Sequence, residues 1–197
     1  TTTLNLGAAL AQKGKNVLLV DLDPQANLTS GLGTRAKDLS ASVYELLTAK
    51  KPDVSKLIQE LPFEGLFLIP SHIDLSGAEI ELVPMMGREA RLRKALDPVR
   101  GAFDYILIDC LPSLSLLTVN AMVASSELFV PLQAHPFALE GLGKLFEIAE
   151  MLREALNPDL KLTGVLVTLY DSRTNVSRET LKRLRGDERL APHIFDT

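Results

Sequence analysis

Two short apolar runs, each closed by an aspartate, constrain the fold of this chain more than any other feature. One run covers residues 17–20 and ends at Asp21, and the other covers residues 105–108 and ends at Asp109. Runs of this length that are apolar on both faces are typical of buried parallel strands. Three further runs of the same kind predict strands over residues 66–69, 128–131 and 162–169.

Helical patterns lie between these runs. Apolar residues at helical spacing predict helices over residues 1–13, 88–96, 114–123, 138–156 and 177–185. Residues 31–62 are less regular and predict a loop followed by short helices over 43–49 and 54–59. Alternation of strands and helices indicates a parallel sheet with right-handed crossovers. The predicted fold class is therefore α/β, a doubly wound, mostly parallel sheet flanked by helices.

Composition limits the class of protein. The chain has 197 residues, 46% hydrophobic and 23% charged, which predicts a single globular domain over residues 1–197. No apolar stretch approaches the ~20 residues that cross a bilayer, so we expect no membrane partner. The net charge is -4, so any DNA binding requires a local basic face. The single cysteine, Cys110, fits a reducing cytoplasm, and we expect it to be buried.

Acidic residues follow the predicted strands. Asp21 and Asp23 close the first strand, Asp109 closes the third, and Asp171 follows the last. Ligands of doubly wound sheets bind beyond the carboxyl ends of the strands. A single aspartate there can equally be a turn former or a helix cap. Several at one sheet edge indicate a magnesium and phosphate site.

Five segments resemble motifs of the ParA/Soj family of chromosome- and plasmid-partitioning ATPases. Residues 21–27 (DLDPQAN) match one family motif, and residues 105–113 (YILIDCLPS) resemble its Walker B strand. Residues 69–79, 137–142 and 170–175 continue the resemblance in family order. The fold implied is that of a P-loop NTPase, with ATP and Mg²⁺ as cofactors.

The chain also departs from the family pattern. No loop of the form K-G-G-x-G-K-T-T is present, and residues 1–6 (TTTLNL) resemble the segment directly after that loop. Residues 195–197 resemble the start of the last core strand, and the C-terminal helices are absent. We therefore expect an internal piece of a longer protein, truncated at both ends; the alternative is a natural relative without a P-loop. Leu111 replaces the first of two family prolines, which alters loop stiffness.

The resemblance implies roles for the acidic residues. Asp109 would hold magnesium through water, and its alternative role is to cap the following helix. Asp23 matches the catalytic carboxylate that orients or deprotonates the attacking water. Asp21 would lie nearer the metal and bind both metal and nucleotide. For Asp21 and Asp23 the alternative is a turn started by the Asp-Pro dipeptide.

Three further positions would contact the nucleotide. Thr1 would follow the metal-binding hydroxyl and donate to the α-phosphate, or else be an exposed terminal residue. Leu169 and Tyr170 lie where relatives flank the adenine ring. For Leu169 the alternative is ordinary core packing.

A basic face is predicted on the last helix. Arg178, Lys182 and Arg185 recur at spacings that share one helical face, Arg189 continues the series and Arg173 precedes it. It resembles the surface with which ParA-type dimers bind DNA without reading sequence. Acidic residues interleave with these cations, so the alternative is a solvated helix face. Arg88, Arg91 and Lys94 form a second stripe, for which DNA contact and a solvated face are again the two alternatives.

The resemblance implies an ATP-dependent homodimer that binds non-specific double-stranded DNA and hydrolyses ATP when a ParB-type partner stimulates it. The expected location is the nucleoid in the cytoplasm. One alternative is a MinD-like ATPase at the membrane. Others are a metabolic P-loop ligase of the dethiobiotin synthetase kind and a non-hydrolytic interaction protein on the same scaffold.

Residues 1–197 alone should bind ATP weakly or not at all. The reason is that P-loop proteins hold phosphates with the main-chain N–H groups and the lysine of that loop. Isothermal titration calorimetry with ATP and Mg²⁺ checks the expectation. A dissociation constant in the micromolar range would contradict it.

Overall fold

The computed structural model describes residues 1–35, 39–111, 113, 115–135 and 138–195. They form two compact units, Thr1–Ala124 and Ser125–Thr197. The prediction that residues 1–197 form a single domain stays a prediction. The predicted α/β class is confirmed, because each unit combines parallel strands with helices.

The first unit is built on a four-stranded sheet. Its strands are β1 (Val17–Leu22), β2 (Gln59–Glu60), β3 (Leu66–Ile69) and β4 (Tyr105–Cys110), in the order β2-β3-β1-β4. The three strands predicted from their apolar runs are parallel, and β2 pairs antiparallel with β3. The helix predicted over 54–59 is wrong at its end, since a 3-10 turn covers Val54–Lys56 and Gln59 enters β2.

The described residues of this unit contain six α-helices: α1 (Thr2–Gln12) before the sheet, α2 (Asn27–Gly31) and α3 (Val43–Thr48) between β1 and β2, α4 (Leu75–Leu82) and α5 (Arg91–Leu96) between β3 and β4, and α6 (Leu116–Ala124) after β4. Helices α2 and α4 are not among the predicted elements. The predicted helix 88–96 divides into a 3-10 turn, Arg88–Ala90, followed by α5. The start predicted for the next helix, Leu114, lies outside the described residues, as does Pro112 of the resembling motif.

Apolar residues on both faces of β1 explain why the strand is central. Leu18, Val20 and Leu22 belong to a core shared with α3, α4, α5 and α6. Val17 and Leu19 face the opposite side, where α1 packs. All six residues of β1 are buried. Helices on both faces of the sheet agree with the doubly wound arrangement predicted for this part of the chain.

The second unit contains two parallel strands, β5 (Glu127–Gln133) and β6 (Lys161–Thr168), with a register shift between Leu128 and Phe129. Its helices are α7 (Ala138–Ala155) and α8 (Asn175–Gly186). Val165 and Val167 of β6 lie in the core of this unit with Leu184 of α8. The motif residue Phe137 lies outside the described residues.

The end of strand β6 differs from the predicted one. Strand β6 ends at Thr168, one residue earlier than predicted. Leu169 has a left-handed backbone with φ 51°, a conformation outside the β region, so the strand cannot continue through it. The main-chain N–H of Phe195 donates to the oxygen of Val165 at 3.1 Å, beside a parallel bridge at Ile194. This agrees with a strand starting near residue 195; residues 196 and 197 lie outside the described part.

Cys110, expected to be buried, is exposed at the end of the edge strand β4.

Gly65→Ala should destabilise the first unit more than Gly14→Ala. Both glycines have left-handed φ values, 76° and 75°, so both substitutions carry a strain of about 1–2 kcal/mol. Only at Gly65 would the new methyl group lie 2.7 Å from a main-chain atom, the oxygen of Lys15, which adds about 1–3 kcal/mol. Urea unfolding of both variants measures the difference. Equal losses would show that the close approach to Lys15 is unimportant.

Candidate functional site

Three aspartates meet at the carboxyl ends of β1 and β4. Asp21 in β1 lies opposite Asp109 in β4 in the parallel register. The main-chain N–H of Asp23 donates to Oδ1 of Asp21 at 3.2 Å, which brings the third residue to the same edge. We name Asp21, Asp23 and Asp109 the carboxylate edge. Their shared position follows from the parallel sheet, which brings the ends of neighbouring strands together.

Asp21 is fully buried and its carboxylate accepts several hydrogen bonds. Oδ2 accepts from the main-chain N–H of Thr29 at 2.8 Å and from its hydroxyl at 2.6 Å. Burial raises the pKa of Asp21 above its ordinary value, the bonds from Thr29 and Asp23 oppose that rise, and the charge of Asp109 adds to it. This carboxylate therefore holds the following loop in place, and its predicted role as a metal ligand stays a prediction.

Asp23 forms the turn that its Asp-Pro sequence indicates. Oδ1 accepts from the main-chain N–H of Gln25 at 2.8 Å, and the carbonyl oxygen of Asp23 accepts from Ala26 at 2.9 Å. Ala26 has a left-handed backbone, φ 52°, which closes the turn before α2. The side chain is half-buried. The turn is thus present, while catalysis by Asp23 stays a prediction.

Asp109 is held from the other side of the edge by α1. Its Oδ1 accepts a hydrogen bond from the hydroxyl of Thr3 at 2.8 Å. Its alternative role as a cap for the following helix is untested, because the predicted start of that helix lies outside the described residues. Thr1 is exposed at the start of α1, where its carbonyl accepts from Asn5, and its contact with a phosphate stays a prediction.

The carboxylate edge fits a magnesium ion by its chemistry. Across the described ranges, no cluster of three or more histidine, cysteine, aspartate and glutamate side chains could hold a metal ion alone. Magnesium does not require one, because it is usually bound by one or two carboxylates together with phosphate oxygens and water. Asp109 and Asp21 supply carboxylates of this kind.

The positions predicted to flank adenine lie in the second unit. Leu169 is 78% exposed and Tyr170 is 40% exposed, immediately after β6. Core packing, the alternative for Leu169, is therefore wrong, because its left-handed backbone takes the side chain out of the core. Contact of either residue with a nucleotide stays a prediction.

Asp171, which also follows a strand, is committed to an ion pair. Nε and the terminal nitrogen of Arg173 donate to its two carboxylate oxygens at 3.0 and 2.9 Å, and the main-chain N–H of Arg173 adds a third bond. This pairing holds the pKa of Asp171 below its ordinary value and raises that of Arg173. Because a carboxylate already occupies its guanidinium, Arg173 is less available to a phosphate than its sequence position indicates.

The basic face consists of exposed residues: Arg173, Arg178, Lys182, Arg185 and Arg189. Helix α8 buries Ser177, Thr180 and Leu184, so its cations point away from the core. Arg178 donates to Asn175 at 2.5 Å, and Arg189 lies 3.8 Å from Asp187. Arg183 is also exposed on α8, although the predicted face omitted it. Whether DNA binds here stays a prediction.

The second stripe, residues 88, 91 and 94, has a structural use that the charge pattern did not indicate. Arg91 donates to the carbonyl oxygens of Leu47 and Ala49 at the end of α3. Arg88 donates to the carbonyl of Val83, the residue that follows α4, at 2.5 Å. Cations at helix C-termini pair with carbonyls that lack intrahelical partners. Two of the three side chains are thus engaged in the fold.

The sequence interpretation missed Thr3 and Thr29, the residues that hold the carboxylate edge. The sequence carries one signal for Thr3, its spacing of four from Gly7 on the same helical face. The structure shows that this face lies against the sheet, because Gly7 is close to Leu19 of β1. Thr29 had no such signal, since its contact with Asp21 depends on the loop between them.

Among the described residues, no helix is long and apolar enough to span a membrane.

Known proteins resemble the chain over most of its length. A family model described as an AAA domain matches residues 1–162. The chain is 48% identical over 185 residues to the sporulation initiation inhibitor protein Soj of Bacillus subtilis, covering 94% of this chain and 73% of that protein. It is 44% identical over 186 residues to the chromosome partitioning protein ParA of Myxococcus xanthus, covering 94% and 65%.

Solved structures share the fold. A crystal structure of cobyrinic acid a,c-diamide synthase from Mycobacterium smegmatis with bound ADP and magnesium matches with a TM-score of 0.89 and 43% identity, over 96% of this chain and 77% of that chain. A plasmid partition protein from Borrelia burgdorferi matches with a TM-score of 0.77 and 26% identity, over 95% and 80%. These similarities lend no support to the expected loss of nucleotide binding, which stays a prediction.

Arg91→Ala should destabilise the fold by about 1.5–3 kcal/mol, because the carbonyls of Leu47 and Ala49 lose a charged donor. Lys94→Ala, in the same stripe but exposed, should change stability by less than about 0.5 kcal/mol. Urea unfolding of the two variants checks this. Equal stability of both would contradict the structural use of Arg91.

Proposed function

The chain belongs to the ParA/Soj family of partitioning ATPases, and we propose that its carboxylate edge hydrolyses ATP to drive DNA partitioning. The observation that carries the proposal is the juxtaposition of Asp21, Asp23 and Asp109. Asp21 and Asp109 are opposite one another in the sheet, and the main-chain N–H of Asp23 donates to Oδ1 of Asp21 at 3.2 Å. The relatives named Soj and ParA support the partitioning role.

Magnesium and ATP are the cofactors of this proposal. A structural relative holds ADP and magnesium, and the carboxylates of the edge fit that metal. Asp109 would hold the ion, with the buried charge of Asp21 behind it. When bound, the metal neutralises charge on the β- and γ-phosphates. The hydroxyl of Thr3 keeps Asp109 in one orientation through its 2.8 Å bond.

Asp23 is proposed as the group that orients the attacking water or takes its proton. Its Oδ1 is fixed by the main-chain N–H of Gln25. In the part of the chain that the structure describes, its Oδ2 accepts no hydrogen bond and could accept one from water. A half-buried carboxylate with one fixed and one available oxygen is suited to this task.

The remaining nucleotide contacts are proposals of the same kind. Thr1, at the start of α1, would donate to the α-phosphate. Leu169 and Tyr170 would flank the adenine ring, and their exposure after β6 supports this use.

DNA is the proposed cargo, and the basic face is its proposed contact. Sequence-independent binding rests on cations that neutralise phosphates, and four cations of this face lie on or just after α8. ATP would join two copies of the chain, DNA would bind the dimer, and a ParB-type partner would stimulate hydrolysis. The proposed location is the nucleoid in the cytoplasm.

Asp23→Ala tests the hydrolytic proposal, in a protein that carries the family's P-loop ahead of Thr1. ATP turnover should fall by about 10²- to 10⁴-fold while ATP binding is retained, because the water loses its orienting group. The matched control is Asp53→Ala, an exposed aspartate paired with Lys56, which should leave turnover unchanged. Unchanged turnover in Asp23→Ala would exclude Asp23 as the catalytic carboxylate, whereas absence of turnover in the original protein would favour the non-hydrolytic interaction protein.

Lys182→Ala should weaken binding to duplex DNA and reduce the slope of log affinity against log salt by about one. Arg173→Ala should have a smaller effect, because its guanidinium is already paired with Asp171. Fluorescence anisotropy at several salt concentrations measures both slopes. Equal losses of DNA affinity in both variants would contradict the smaller effect expected for Arg173. If neither variant loses affinity, the basic face is not the DNA interface.

A further inference from the structure

Thr29 connects three segments at the carboxylate edge. It is fully buried on α2, and its hydroxyl donates to Oδ2 of Asp21 at 2.6 Å. The same hydroxyl oxygen accepts from the main-chain N–H of Ser71, two residues after β3, at 3.0 Å. A single side chain therefore joins the end of β1, the helix that follows it and the loop after β3.

The main chain of Thr29 adds a second link to Asp21. Its N–H donates to the same oxygen, Oδ2, at 2.8 Å. The N-cap residue of α2, Ala26, has no side chain that could accept this bond. Asp21 thus takes the place of an N-cap side chain for α2, although it lies eight residues before Thr29. These contacts tie down both ends of the segment that contains Asp23.

The consequence for Asp23 comes from the short connection. Asp23 lies between Asp21, which Thr29 holds, and α2, which begins at Asn27. Its own N–H donates to Oδ1 of Asp21, so the orientation of the Asp21 carboxylate determines where Asp23 begins its turn. Losing the hydroxyl of Thr29 leaves Asp21 with fewer donors and the N–H of Ser71 without its acceptor.

We propose that Thr29 is a positioning residue, whose hydroxyl fixes the Asp21 carboxylate and, through it, the water-orienting Asp23. This inference rests on the proposed function, since it assigns Thr29 a part in the same hydrolysis. Thr29 touches neither water nor nucleotide in this role. Its effect is on the geometry of its neighbour.

Two substitutions at this position separate the hydroxyl from the packing. Thr29→Val keeps the shape and removes the hydroxyl, whereas Thr29→Ser keeps the hydroxyl and removes a methyl group. Thr48→Val is the matched control, because the Thr48 hydroxyl donates to a carbonyl within its own helix α3, that of Tyr44, at 2.9 Å. The protein used carries the family's P-loop ahead of Thr1.

Steady-state ATP turnover is the first readout. Thr29→Val should lower kcat by about 10- to 100-fold with KM within about 2-fold, because a misplaced group affects the reaction more than binding. Thr29→Ser should retain kcat within about 2-fold of the original protein, and Thr48→Val should leave kcat unchanged. Equal losses in Thr29→Val and Thr29→Ser, or no loss in Thr29→Val, would overturn the proposal.

Amide hydrogen exchange without nucleotide is the second readout. Exchange at the amides of Asp23 and Ser71 should become at least about 10-fold faster in Thr29→Val and stay unchanged in Thr29→Ser. If the original protein shows no turnover, the proposed function fails, and exchange alone then decides about Thr29. Unchanged exchange at Asp23 in Thr29→Val would overturn the inference.

Discussion

The buried contact between Asp21 and Thr29 is the interaction on which the site depends. A carboxylate without solvent exposure needs hydrogen-bond donors, and Thr29 supplies two to one oxygen while Asp23 supplies one to the other. These donors belong to Asp23 and Thr29, in the segment that runs from the end of β1 into α2. The hydrogen bonds that satisfy the buried carboxylate of Asp21 therefore also order this segment. A variant that loses these donors is therefore expected to lose the geometry of the edge as well.

The sheet makes this arrangement possible. Strand β1 is apolar on both faces, which places it in the centre between α1 on one side and the helices α3 to α6 on the other. Its neighbour β4 pairs in register, so Asp109 is opposite Asp21, and α1 then brings Thr3 to Asp109. Packing of apolar side chains thus determines where the polar groups lie. The carboxylates take their positions from the core beneath them.

Much of this could be predicted from the sequence, for physical reasons that differ between elements. Strands β1 and β4 follow from short apolar runs, and the aspartates at their ends follow from parallel pairing. Helix α2 could not be predicted, because five residues carry no clear periodicity and its cap, Asp21, is remote in sequence. The charge pattern around Arg91 left both a DNA contact and a solvated helix face open, yet its guanidinium donates to carbonyl oxygens at the end of α3. Which partner a charged side chain chooses depends on tertiary contacts that a local pattern does not contain.

The central claim is that an ATP-loaded form of this protein binds DNA without reading its sequence. The most direct measurement is co-sedimentation with duplex DNA in ATP, in ADP and without nucleotide, at low and moderate salt, with the family's P-loop ahead of Thr1. Binding is expected in ATP alone, of similar strength for unrelated sequences and falling steeply with salt. Absence of binding in every nucleotide state would contradict the claim.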